Sequence, residues 1–410
     1  MEPTVGARIR AIRETAGLKS QELAELVGLD PTVMSKIETG KRAVKTVELA
    51  RIADALRVSP LALLEEPTLL AELPIAARAA GQSITRGQAY AKLVAFTELH
   101  VVLHDAGVTG YGAVAEAPAA NHDQWKSSAE ELAEWASTKL GVTETGDERF
   151  GALAAAIETG LGVDVFVDSF EGDPLSGAAI TDDAFPLVFV NSSHPTPRCL
   201  FTLAHELGHL LAHHERSITL DRELAGIDES ERFANAFAAC LLMPEQAVRS
   251  FVTQFGRGPE SLLRMTEQFG VSFESLVFRL HNVGLINAAG RDQLRALGWR
   301  GLLSLADEPP LSEQLGPDVP TRLMSRTRTH PRKRPPIWLL RRCFDGHKKG
   351  VVSVRPLAGL IGADADELLD DIDKIEDIRE LARDAFSFDN DFGGAGDVAS
   401  DDEIYSGSPF

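Results

Sequence analysis

The chain is poor in cysteine. Cys199, Cys240 and Cys343 are the only three among 410 residues, and no two stand in a CxxC pair. That argues against a disulfide-stapled fold and against a thiolate zinc site. No apolar run approaches the ~20 residues that cross a bilayer. The opening Met1-Glu2-Pro3 runs straight into an amphipathic helical pattern instead of a secretory signal. Positive charge is also short, with 41 Lys and Arg against 61 Asp and Glu. A net charge of −20 would by itself argue against a nucleic-acid partner. Together these absences lead us to expect a cytoplasmic, reducing setting without a membrane.

The charge is unevenly spread, and the distribution changes that inference. Residues 1–65 carry ten Lys/Arg and nine Asp/Glu, residues 322–355 eleven bases and the single acid Asp345, and residues 364–404 sixteen acids and three bases. The acidity lies late, so the two ends need separate treatment. Residues 5–65 read as five short helices, with Ser20 an N-cap candidate and Asp30-Pro31 a cap followed by proline at the first helical position. Two of these helices, joined by Gly28-Leu29-Asp30, form a helix-turn-helix candidate.

The strongest chemical signal is His205-Glu206-Leu-Gly-His209 inside a helical pattern. Four residues make slightly more than one turn, so both imidazoles point the same way and can grip one metal ion. Glu206, one step round, is placed to take a proton from an attacking water. Leu203, Leu207, Leu210 and Leu211 fall opposite and should pack inward, while Gly208 and Ala212 leave room beside the histidines. Catalytic zinc needs a third protein ligand. His213 fails, because eight residues of helix put it about 12 Å from His205. The metzincin spacing fails too, because Glu215 stands where a histidine is needed. A second helix, over 228–243 and ended by Pro244, offers Glu231, Ala234, Asn235 and Ala238 on one face. Its alanines allow close approach, Glu231 can reach the metal, and Asn235 can hold a liganding histidine. Glu229 and Glu223 compete as third ligands. Short strands are expected at 163–168, 176–180 and 187–191 ahead of the metal helix. Val188–Asn191 is a candidate edge for an extended substrate, and His194, Arg198 and His213 are candidate oxyanion donors. Cys199 reads as a buried inert thiol.

Two resemblances follow from these residues. Ser20-Gln-Glu-Leu-Ala-Glu-Leu-Val-Gly28 and Met34-Ser-Lys-Ile-Glu-Thr-Gly-Lys-Arg42 resemble the Xre/lambda-repressor-like helix-turn-helix family. By that resemblance Gln21 and Lys41 or Arg42 would meet phosphates, and Thr32, Val33, Ser35 and Lys36 would face the major groove of double-stranded DNA. It also implies a homodimer. Gly162-Val-Asp-Val-Phe-Val, Leu175-Ser-Gly-Ala, Val188-Phe-Val-Asn, the HExxH helix and Glu231-x-x-x-Asn-x-Phe-Ala-x-x-Leu-Leu-Met-Pro244 are similar, in order, to the ImmA/IrrE family of zinc metallopeptidases. That resemblance implies a gluzincin-type site with His205, His209 and Glu231 on Zn2+ and Glu206 as general base. Phe233 departs from the pattern, since many relatives carry an acid there. It also implies a protein substrate, with transcriptional repressors the expected class.

The fold expected is mainly α with a small α+β domain. It comprises an all-α five-helix head (1–66), a helical linker (67–128), a gluzincin-like metallopeptidase domain with a small β-sheet (129–244) and a helical extension packing on it (245–304). A basic Pro-rich linker (305–335), a small helical module (336–385) and a disordered acidic tail (386–410) follow. The function expected is a DNA-binding regulatory zinc endopeptidase acting in a stress or mobile-element response. The rivals are a non-proteolytic regulator that senses a ligand or metal, and an antitoxin-type regulator.

Overall fold

The computed structural model describes residues 4–15, 18–56, 63, 75–79, 87–109, 117–121, 124–173, 175–182, 184–212, 229–306 and 328–372. The head contains α1 (Val5–Thr15), α2 (Ser20–Val27), α3 (Pro31–Glu38) and α4 (Thr46–Leu56). The fifth expected helix, 59–64, lies outside the described residues except for Leu63, which is buried in the same core as Ile9, Leu23, Met34, Ile37 and Ile52. Asp30 caps α3 as expected, accepting from the Thr32 N–H at 2.7 Å, and Pro31 follows it. The Thr32 side chain, and after it this backbone bond, hold the Asp30 carboxyl below its ordinary range. Ser20 is not the cap of α2. Lys19 takes that position, and its backbone N–H donates to Glu22 at 2.7 Å in the capping-box manner, one residue earlier than the sequence suggests. Gly28 turns α2 into α3 at φ 68°, a left-handed conformation that side chains resist.

The rest is built around one four-stranded sheet. Its strands are β1 (Ile75–Ala79), β2 (Asp164–Asp168), β3 (Leu175–Asp182) and β4 (Phe185–Asn191), in the spatial order β1-β3-β4-β2. β1 and β3 are antiparallel, as are β3 and β4, whereas β2 and β4 are parallel. Every residue of β4 and all but the last of β2 are buried, because both faces of the sheet are covered. One face carries Val165, Val167, Ala179, Val188 and Val190. It packs with α6 (Trp125–Leu140), α7 (Glu148–Ala156), α8 (Thr196–Leu211), α9 (Glu229–Leu242), α10 (Glu245–Phe255), α11 (Pro259–Phe269), α12 (Phe273–Asn282) and α13 (Ala288–Ala306). The other carries Phe166, Ala178, Ile180, Leu187 and Phe189. It packs with α5 (Gln88–Asp105), α14 (Ile337–Lys348), α15 (Val354–Ile361) and α16 (Ala365–Asp371). No helix among the described residues is long and apolar enough to cross a membrane.

Three features differ from the sequence expectation. The segment 67–128 is not only a helical linker, since it supplies β1 to the sheet and α5 to its second face. The helices after residue 336 do not form a module of their own, because Leu339, Leu340, Cys343 and Leu357 share a core with the sheet. The basic linker is stitched down where it is described. Arg334 exchanges backbone hydrogen bonds with Val167 at 2.8 and 2.9 Å, and its guanidinium pairs with Glu158. Asp164, at the head of β2, accepts from the N–H groups of Trp338 and Leu339 at 2.7 and 3.0 Å, capping α14. Burial pushes its carboxyl up to about 8, against those two bonds. The acidic tail lies outside the described residues.

Candidate functional site

α8 runs through the middle of the core. Its apolar stripe is real, but Thr202, His205, Glu206 and His209 are buried as well, so the helix is enclosed on every side. The space beside Gly208 is already filled, because a Cβ there would stand 2.8 Å from the Phe237 ring of α9. A neighbouring helix, not open space, lies beside that glycine. Ala234 and Ala238 on α9 are fully buried, consistent with the close approach their size allows.

That packing brings three groups together from two helices. The Nε2 atoms of His205 and His209 lie 3.0 Å apart. The Glu231 carboxylate lies 3.4 Å from His205 Nε2 by one oxygen and 3.6 Å from His209 Nε2 by the other. A tetrahedral zinc with bonds of ~2.0–2.1 Å places its ligands about 3.3 Å apart. Two imidazole nitrogens and a carboxylate at the observed separations therefore fit that ion in both donor type and spacing. Burial pushes the Glu231 carboxyl up, but the two imidazoles outweigh it and hold the group well below the usual carboxylate range. His205 Nδ1 donates to Asn235 Oδ1 at 3.0 Å, which leaves Nε2, the nitrogen near His209 and Glu231, free of its proton to bind a metal. Glu229 is exposed at the start of α9 and is not in the cluster. Glu223 and His213 lie outside the described residues.

Glu206 is fully buried on the same helix, against β3. A Cβ added at Gly177 would stand 3.1 Å from Glu206 Oε1 and 2.4 Å from Thr202, so β3 reaches this depth only because residue 177 has no side chain. Sequence reasoning did not single out Gly177. Its signal was present in the Leu175-Ser-Gly-Ala stretch, but nothing in the pattern said which helix it faces. The proposed edge Val188–Asn191 is overturned, because β4 lies inside the sheet with β3 on one side and β2 on the other. Of the oxyanion candidates, the Arg198 guanidinium reaches Ser176 Oγ at 3.5 Å, and burial lowers His194 to about 4. Cys199 donates to the His194 carbonyl at 3.1 Å and its thiol is pushed up to about 12 by burial, as an inert core thiol would be.

In the head, Thr32, Ser35, Lys36 and Lys41 are exposed and Val33 is half-buried against the core. Exposed Gln21 donates to Glu25 at 3.2 Å. Arg42 is engaged within the domain, donating to both Glu48 oxygens at 2.8 and 3.1 Å, and Glu48 also accepts the Lys45 N–H. Glu38, the one acid between Thr32 and Lys45, is buried and receives Arg13 at 2.6 Å. With Glu38 spent on Arg13 and Arg42 on Glu48, the exposed charges between those residues are Lys36, Lys41 and Lys45.

Together these observations define the class by architecture, a helix-turn-helix head on the same chain as a metallopeptidase-like domain. Residues 4–66 match the helix-turn-helix domain family model, and residues 158–281 match the IrrE N-terminal-like domain. The second match takes in α10 to α12, which the sequence pattern assigns to a separate extension. No curated protein matches the chain. Among solved structures, a Mycobacterium tuberculosis transcriptional regulator is 20% identical over 48% of this chain and 53% of its own, with a TM-score of 0.30. The chain thus spans about half of that protein's length. Bacillus thuringiensis PlcR, solved with the peptide PapR7 and DNA, is 12% identical over 94% of this chain and 99% of its own, with a TM-score of 0.16.

Proposed function

We propose that the chain is a regulatory zinc endopeptidase positioned on double-stranded DNA by its head, with a transcriptional repressor as the class of substrate. The observation that supports this most is the convergence of His205, His209 and Glu231 beside Glu206. A zinc ion held by those three groups would supply Lewis acidity, bringing the pKa of water down to ~7. Asn235 fixes His205 in the tautomer that presents Nε2. Glu206 takes the proton of the attacking water and returns it to the leaving amine, and the closed core around α8 strengthens that electrostatics. In the head, Thr32, Val33, Ser35 and Lys36 would read the groove while Gln21 and Lys41 hold phosphates, in a homodimer and in the cytoplasm. Arg42 would act there mainly by bracing the loop through Glu48.

A second reading has its own support. His205 and Glu206 are 0% exposed, as suits a regulator that senses a metal without cutting protein. One experiment separates the two. Wild type and Glu206→Gln are loaded with zinc and mixed with candidate repressors, and fragments are read by mass spectrometry. Cutting by wild type alone supports the peptidase. Stoichiometric zinc with identical, uncut repressor in both supports the sensor. Less than half an equivalent of zinc in the purified protein sinks the metal assignment.

A further inference from the structure

β3 is where the sheet meets the candidate metal centre, at Gly177 against Glu206 and Thr202. The side of β3 away from β4 would present a row of backbone N–H and C=O groups, a template for an extended peptide. That side is taken. β1 runs antiparallel along it, with Ile75 opposite Ile180 and Arg78 opposite Gly177, and a register break before Ala79. β1 belongs to neither matched domain, since it falls between residues 66 and 158. It is also poorly suited to a strand. Three of its five residues are alanine, a type depleted in sheets, whereas β4 opposite is rich in Val and Phe.

We propose that residues 75–79 are a resident competitor, a strand of the chain's own connector seated where an extended segment of a protein partner would pair beside Glu206. Calling that partner a substrate rests on the peptidase reading, but the strand exchange does not. β1 is short, alanine-rich and interrupted, so it is the strand of this sheet that an incoming peptide can most easily replace. Exchange would also couple the two functions, because the displaced strand lies on the connector that leads to the head.

The test uses full-length wild type and an Ala76→Pro/Ala77→Pro variant. Alternate residues of an antiparallel strand point their N–H at the partner, so two adjacent prolines remove one such donor whatever the parity. The probe is a fluorescein-labelled peptide with the sequence of residues 73–81, followed by anisotropy without added metal. The variant should bind it at least tenfold more tightly than wild type. Hydrogen exchange at 175–180 should speed up in the variant and slow again when unlabelled peptide is added. In wild type, saturating peptide should speed exchange at 75–79 and leave 175–180 protected, a result that does not depend on the variant folding. Equal binding by both proteins, or unchanged exchange at 75–79 in saturated wild type, overturns the proposal. With zinc and casein, a variant that gains peptide binding but cuts no better than Glu206→Gln sinks the peptidase reading and leaves the exchange standing. Equal cutting together with equal peptide binding does the reverse.

Discussion

The head and the metal domain place their candidate functional groups on opposite sides of the surface. In the head, Thr32, Ser35, Lys36 and Lys41 stand exposed over a closed core, and the ion pair Arg13–Glu38 is buried behind them. In the metal domain, His205, Glu206 and His209 are themselves the core. A recognition surface for DNA must remain open and charged, whereas an ion with a buried base needs a dry, rigid cage. Substitutions should therefore separate function from stability in the head and confound them around α8.

The largest test of that contrast is in the head, behind its surface. Arg13→Ala leaves Glu38 buried without its guanidinium and should cost about 3–5 kcal/mol, melting the head while α8 and α9 stay folded. Domain-resolved hydrogen exchange reads this, and intact head protection would show that the pair is not central. Next is the layer on the far side of the sheet, where His100 accepts from Arg342 at 2.6 Å and stacks on Phe185. Burial first, then the Arg342 charge, lowers His100 from 6.5 to about 4. Its contribution is then fully present above pH 6.5 and lost as pH falls toward 4, on the order of 3 kcal/mol. His194, also lowered to about 4, adds to the same slope. His100→Gln, which still accepts from Arg342 but does not titrate, should flatten the fall in melting temperature by about half. An unchanged slope would move the acid sensitivity elsewhere.

Smaller effects sharpen the comparison. Asn235→Ala removes the acceptor that sets the His205 tautomer and should weaken zinc binding by about 10–100-fold, read by chelator competition. Unchanged affinity would mean that Asn235 only packs. Lys41→Ala should weaken operator binding and lower the salt slope by about one, with the melting temperature unmoved. Arg42→Ala should instead lower the melting temperature of the head, because that guanidinium holds Glu48.

Local signals made much of the molecule legible. The spacing of His205 and His209, the Asp30-Pro31 cap and the short apolar runs of β2 and β4 each depend on neighbours a few residues away, so local pattern exposes them. Glu231 and Asn235 could be nominated because helical spacing puts them on one face of a second helix. Ser20 was displaced by one position because capping depends on the φ/ψ of a single residue, which composition does not encode. β1 was missed because Ile-Ala-Ala-Arg-Ala carries no strand signal of its own and pairs only because β3 offers an edge.

What the sequence alone determined is the chemistry available: two histidines and a glutamate at one helical turn, a second helix with the remaining donors, and a basic turn in the head. Tertiary structure decided which of those groups are spent and which are open. It buried Glu38 on Arg13, tied Arg42 to Glu48, filled the space at Gly208 with Phe237 and put β4 inside the sheet. It also laid residues 75–79 along β3 beside Glu206. These outcomes rest on contacts between segments far apart in sequence, where close packing and backbone hydrogen bonding select the partner and local pattern cannot.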